Sequence, residues 1–144
     1  MTPEQKRLVN ESFALVEPIA ATAAALFYAR LFELDPSLRP MFRGDMAEQG
    51  RKLMQTIAVV VAGLDKLDTL VPAVQALGRR HAAYGVRDGH YATVAAALLW
   101  TLEQGLGAAF TPAVRQAWAT AYGLLASVMQ AAAAEVAESS RAAA

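Results

Sequence analysis

The sequence predicts an all-α fold on three grounds. Apolar residues recur at helical spacing along almost the whole chain. A capping residue followed by proline restarts a helix at Thr2-Pro3, Asp35-Pro36 and Thr111-Pro112. No hairpin turn lies between runs that alternate apolar and polar residues, so no strand is predicted. Six or seven helices follow, joined by short loops, with no internal repeat and no linker. At 144 residues the chain has the size of one domain, 1–144, long enough to bury a core. Residues 138–144 are expected to be a frayed tail.

The first helix opens on a capping box, with Thr2 as N-cap, Pro3 at the first helical position and Gln5 closing the box. It carries Leu8, Phe13, Leu15 and Val16 and should end or bend near Pro18. A second, Ala-rich helix runs from Ile19 to Leu34, with Leu26, Phe27, Tyr28, Leu31 and Phe32 as a broad apolar face. Asp35-Pro36 opens a short piece, interrupted by Pro40, with room for only a turn or two. Arg43-Gly44 reads as a loop. Asp45 and Glu48 form a capping pair for a helix from Met46 to about Ala62, stopped by Gly63. Gln49, Leu53, Thr56, Ile57 and Val60 share its inner stripe. The polar stretch LDKLDT reads as a connector.

Pro72 suits a first helical position and Gly85 the place just past a helix end, which frames PAVQALGRRHAAYG. Asp88 is expected to cap the next helix, from Gly89 to about Leu106. Tyr91, Val94, Leu98, Leu99 and Leu102 run along it, and Gly105 and Gly107 mark its end. The last helix starts at Thr111-Pro112 and continues through Val114, Trp118, Tyr122, Leu125 and Met129.

Composition narrows the function. Hydrophobic residues make up 56% and charged ones 18%, so the chain folds. Thirteen basic and thirteen acidic residues cancel, and no basic patch of the kind nucleic acid or an anionic membrane needs stands out. The longest apolar runs, such as Ala92–Leu102, are shorter than the ~20 residues of a membrane span. The N-terminus, MTPEQKRLVN, lacks the apolar core of a signal peptide. With no cysteine there is no disulfide, thiolate nucleophile or Cys-based metal site, and a cytoplasmic location fits.

One of the two histidines stands out. Leu70, Val74, Leu77 and His81 are spaced by four, three and four residues, which stacks them on one helical stripe. An imidazole there occupies a place where leucine is expected. It is either a core histidine with a hydrogen-bond partner or a ligand aimed into an apolar pocket. Neutral imidazole is a common metal ligand and a standard axial ligand of haem iron. If the Gln49 and His81 helices face each other, one imidazole meets iron from one side. Tyr28 and Gln49 then offer an O–H and an N–H on the other. Dioxygen gains negative charge on binding iron and accepts such bonds. Phe42, Leu53, Ile57, Leu77, Val86, Val94 and Leu98 are suited to wall a flat macrocycle. Lys52, Arg79 and Arg80 are placed to pair with its acidic edge.

Plainer readings stand beside these. Tyr28 fits a core tyrosine whose hydroxyl reaches the edge. Gln49 fits a half-exposed first-turn amide, and Phe42 a plug for the core. Trp100 and Trp118 read as packing, and His90 as a solvated first-turn residue. No HExxH, ExxH pair, Gly-rich phosphate loop or nucleophile elbow is present, so non-haem metal chemistry and phosphate chemistry have little support.

Four colinear segments, LFYARLFELDPSLRPMF, EQGRKLM, RRHAAYGVRDGHY and AWATAYGLLASVM, together resemble the globin family. The resemblance is to its bacterial single-domain members, which are similar to the haem domain of flavohaemoglobins. It implies a globin fold of six to eight helices around a pocket for haem b, iron protoporphyrin IX. It places His81 as the proximal iron ligand, Tyr28 and Gln49 as the distal pair, Leu53 as the apolar distal residue and Phe42 as the phenylalanine on the haem. Tyr91 matches the tyrosine that contacts the proximal histidine in flavohaemoglobins. Their last-helix glutamate has no counterpart in register, since Ala131–Ala134 stand there and Glu135 is offset.

The resemblance implies reversible binding of dioxygen, for transport or storage, with NO and CO as further ligands. Its alternative is nitric oxide dioxygenation, detoxifying NO to nitrate with an external reductase, because flavin and nicotinamide modules do not follow in this chain. Whether the protein is an enzyme stays open. No nucleic acid or membrane partner is expected, and both a monomer and a homodimer fit.

Overall fold

The caps decide where the helices begin. In the computed structural model, which describes residues 1–143 and side chains through Glu138, α1 (Pro3–Val16) opens on the predicted box. The Thr2 hydroxyl accepts the Gln5 N–H, and the Gln5 side chain accepts the Thr2 N–H, each at 3.1 Å. Pro18 breaks the chain into a 3₁₀ turn, Glu17–Ile19, before α2 (Ala20–Leu34). By length and composition Pro3–Leu34 passes for a membrane span. It is two helices, however, and Val9, Phe13, Val16, Phe27 and Leu31 bury its apolar residues in the core.

Asp35 accepts the Ser37 N–H at 3.1 Å and opens the 3₁₀ stretch Pro36–Met41. The Asp45 carboxylate accepts the Ala47 N–H at 2.9 Å and starts α3 (Met46–Ala62). Glu48 does not complete that cap; it pairs with Arg51 along the helix.

The next connection departs from the sequence reading. LDKLDT is helical, a 3₁₀ turn at Leu64–Lys66 running straight into α4 (Leu67–Ala83). Leu64, Leu67 and Leu70 find apolar partners there, and their burial outweighs the polar residues between them. Pro72 therefore lies inside α4. Its missing N–H removes the i→i−4 bond to the Asp68 carbonyl, and both residues are exposed, so the loss falls on the solvent side of the helix.

The end of α4 follows the prediction. Gly85 adopts φ +92°, the Val86 N–H donates to the His81 carbonyl at 3.0 Å, and the Gly85 N–H donates to Ala82 at 3.1 Å. These two bonds form a Schellman closure one turn beyond His81. α5 (Asp88–Leu106) is capped by Arg87 rather than Asp88, which is its first helical residue. The His90 ring accepts the Arg87 N–H at 2.9 Å, so His90 is part of the cap rather than merely solvated. α6 (Pro112–Ala143) starts where the Thr111 hydroxyl accepts the Val114 N–H at 3.2 Å. The expected fraying over 138–144 concerns residues that fall, from Ser139 on, outside the described side chains.

α4 lies on α6, α2 on α5 and α3, and α1 on α6, whereas α3 and α4 share at most a marginal contact. The apolar interior divides accordingly. Val9, Phe13, Val16, Leu102, Val114 and Trp118 form one cluster between α1, α5 and α6. Trp118 is more than packing: its Nε1 donates to the Ser12 hydroxyl at 2.8 Å, which satisfies both buried groups. Phe27, Tyr28, Leu31, Leu38 and Ala97 form a second cluster, and Val74, Tyr91, Ala126 and Met129 a third.

Candidate functional site

His81 lies in the last turn of α4, half-buried, with its Nδ1 2.9 Å from the Leu77 carbonyl. A carbonyl only accepts, so Nδ1 carries the proton and Nε2 keeps a free lone pair. Nε2 makes no hydrogen bond among the described residues. Burial lowers the imidazole pKa from 6.5, with the positive charge of Arg80 adding to the effect. The ring is thus neutral, with its tautomer fixed and its outer nitrogen ready to bind a metal.

Its ring lies 6.4 Å from that of Tyr84, and on the same helix Leu70, Val74 and Leu77 join Val86, Tyr91, Tyr122 and Met129 in the third apolar cluster. Tyr91 is buried, and its hydroxyl has no hydrogen-bond partner. The Tyr122 hydroxyl donates to the Tyr91 carbonyl at 2.8 Å, a contact the sequence did not signal because it joins two helices through a main-chain atom. Glu135 pairs with Arg79 at 3.5 Å on the surface. No carboxylate therefore reaches the His81 ring among the described residues, in keeping with the offset of Glu135 in the sequence.

The second cluster carries the other polar group. Tyr28 is buried, and burial pushes its phenol up to about 12. It sits edge-on to Phe27 and Phe42, with ring centroids 5.1 and 5.2 Å apart, and stacks on Phe32 at 6.1 Å. Its hydroxyl reaches the first turn of α3, where it donates to the main-chain carbonyl of Gln49 at 3.4 Å, a long bond. The Gln49 side chain turns away and donates to the Arg43 carbonyl at 3.3 Å. The structure thus brings Tyr28 to Gln49 but does not bring the two side-chain donors together.

Leu53 of α3 and Val94 and Leu98 of α5 pack against the Tyr28 cluster, as does Phe42. Leu77 and Val86 pack against the third cluster. Ile57 packs instead against the first cluster, and with Leu53 and Leu98 it lines an apolar cavity of about 20 Å³. Lys52 and Arg80 are exposed and form no ion pair among the described residues, while Arg79 is taken up by Glu135. The phenol belongs to one apolar cluster and the α4 residues Leu70, Val74 and Leu77 to another, and α3 and α4 share at most a marginal contact.

Among the described residues no three His, Asp or Glu side chains gather to hold a bare metal ion. A single neutral imidazole with no other side-chain ligand beside it suits a metal that arrives with its other donors in a flat apolar ring. The free Nε2, the separate apolar walls and the orphaned Tyr91 hydroxyl all fit a haem.

The sequence model of the globin family matches residues 25–129, from α2 into α6. The chain belongs to the globin family. A neuroglobin of Danio rerio is 34% identical over 143 residues, covering 90% of both chains. The flavohemoprotein of Bordetella parapertussis is 31% identical over 132 residues, 90% of this chain and 33% of its own length. This globin thus spans about a third of that flavohemoprotein. Among solved structures, an engineered carbene transferase of Rhodothermus marinus, described provisionally as a nitric oxide dioxygenase, superposes with a TM-score of 0.84. It is 27% identical, and the match covers 96% of each chain. A bacterial globin of Campylobacter jejuni superposes with a TM-score of 0.83 over 95% of this chain and 99% of its own, at 24% identity, and shows the shared fold. The fold is the globin fold, and a globin's cofactor is haem.

Proposed function

We propose that the chain is one globin domain that takes haem b into an apolar slot between α3 and α4 and binds dioxygen reversibly for transport or storage. Haem, when bound, supplies a ferrous iron that takes gaseous ligands. The observation that carries the assignment is His81, with Nδ1 committed to the Leu77 carbonyl and Nε2 free. Its neutral imidazole holds the iron from the α4 side. Tyr28 donates its O–H on the α2 side, and because burial keeps the phenol protonated it serves as a donor across the physiological range. Gln49 adds a second donor once its amide leaves the Arg43 carbonyl. Phe42, Leu53, Leu77, Val86, Val94 and Leu98 exclude water from the ring faces. Ile57 lines the space behind them, Tyr91 braces the proximal side, and Lys52 and Arg80 meet the acidic edge.

A hydrogen bond worth ~1–1.5 kcal/mol slows ligand loss about tenfold. Tyr28→Phe is therefore expected to raise the dioxygen dissociation rate about tenfold in stopped-flow measurements; an unchanged rate removes Tyr28 from the mechanism.

A second reading, nitric oxide dioxygenation with an external reductase, is favoured by the likeness to the flavohemoprotein and the Rhodothermus marinus protein. Steady NO consumption with a cellular reductase supports it, and a single turnover that then stops leaves oxygen binding alone. The absence of cysteine suits a cytoplasmic setting, and the chain is proposed to work as a monomer or a homodimer.

A further inference from the structure

α4 is held mainly by α6, and at Gly78 the two backbones touch. A Cβ on Gly78 would lie 2.5 Å from the Met129 carbonyl oxygen and 2.6 Å from the Met129 Cα. The obstruction is backbone in the middle of a long helix, which no rotamer change relieves. Gly78 is buried and does not adopt a positive φ, so no turn requires a glycine there. Alanine would favour the helix by ~1 kcal/mol, so the gain from glycine lies in the close approach.

We propose that Gly78 is a positioning residue for His81: by seating α4 directly on the α6 backbone it sets how far the imidazole reaches into the slot. The proposal rests on the haem assignment above. Ordinary contact begins at 3.4 Å, so a methyl group at 78 moves α4 off Met129 by about 0.9 Å, the difference between 3.4 and 2.5 Å. Residues three apart in a helix point about 60° apart. A shift of α4 away from α6 therefore draws His81 back from the slot by roughly half that displacement and slides it sideways. The Nδ1 bond to Leu77 moves with the helix, so the ring cannot compensate by swinging forward without breaking it.

The test is the iron–histidine stretching band in resonance Raman spectra of the haem-loaded protein. Gly78→Ala should shift the band to lower frequency while the carbon monoxide stretch, which reports the Tyr28 side, stays where it is. In His81→Gly supplied with free imidazole, where the ligand is no longer tied to α4, adding Gly78→Ala should leave the band unmoved. Met129→Leu keeps the packing volume and the backbone contact, and should not shift the band; this arm holds even where Gly78→Ala fails to fold. An unmoved band in Gly78→Ala, an equal shift with detached imidazole, or a shift in Met129→Leu each overturns the proposal. Failure of the haem assignment shows separately, as a wild-type protein without a Soret band. In that case faster hydrogen exchange of α4 amides in haem-free Gly78→Ala supports the contact, and unchanged exchange overturns it.

Discussion

Tyr28 and Gln49 differ in what each must give up to serve a ligand. The Tyr28 hydroxyl holds only a 3.4 Å bond to the Gln49 carbonyl, a weak partner that is easily surrendered. The Gln49 amide must leave the Arg43 carbonyl and draw its side chain inward. Gln49→Leu should therefore raise the dioxygen dissociation rate by no more than about threefold, against about tenfold for Tyr28→Phe. Stopped-flow dissociation of both variants checks the order, and a larger effect at Gln49 would contradict it. The two residue types and their helices were legible in the sequence from their place on apolar stripes. The direction of the Gln49 side chain was not, because it depends on where the loop at 43–45 puts a carbonyl. The surplus of the Tyr91 hydroxyl was equally hidden, since only packed neighbours reveal a missing partner.

At the scale of helices, the closure of α4 joins fold to site. Gly85 at φ +92° lets the Val86 N–H bond back to the His81 carbonyl, which ends the helix and leads the chain into the third cluster with Val86 and Tyr91. Gly85→Ala meets no obstructing atom, only Met41 at 3.8 Å, so its penalty is conformational. It should cost about 1–2 kcal/mol of stability and loosen haem retention, measured by thermal unfolding and by transfer of haem to an acceptor protein. Stability equal to wild type would contradict the closure. Caps at Thr2, Asp35, Asp45 and Thr111 were readable because the capping side chain and its target lie two or three residues apart. The start of α4 was not. Its first turns are polar, and only the burial of Leu64, Leu67 and Leu70 against distant helices makes them helical and places Pro72 inside.

Across the whole molecule, the apolar interior divides into separate clusters, and three of its phenols lie in or against two of them. Burial raises the pKa of Tyr28 and Tyr122, and of Tyr91 with help from Asp88. A phenol whose folded pKa exceeds its unfolded value stabilises the fold fully below the unfolded pKa, and that stabilisation fades as pH rises toward the folded one. For Tyr28 the window runs from 10.0 to about 12. Denaturant midpoints of the haem-free protein should therefore fall with rising pH in that range, and Tyr28→Phe should flatten the fall. An unchanged slope in the variant would contradict it.

The division itself follows from which helices touch, and that is a long-range property the sequence expressed only through its resemblance to globins. Its consequence is the central claim: one imidazole at the edge of an apolar slot holds a haem. The most direct measurement is the visible absorption spectrum of protein expressed with ample haem, reduced and then exposed to dioxygen, alongside His81→Ala. The account predicts a Soret band, a five-coordinate ferrous spectrum and a two-banded oxygenated form, all disrupted in the variant. A wild-type protein that takes up no haem, or one whose spectra survive His81→Ala unchanged, would contradict it.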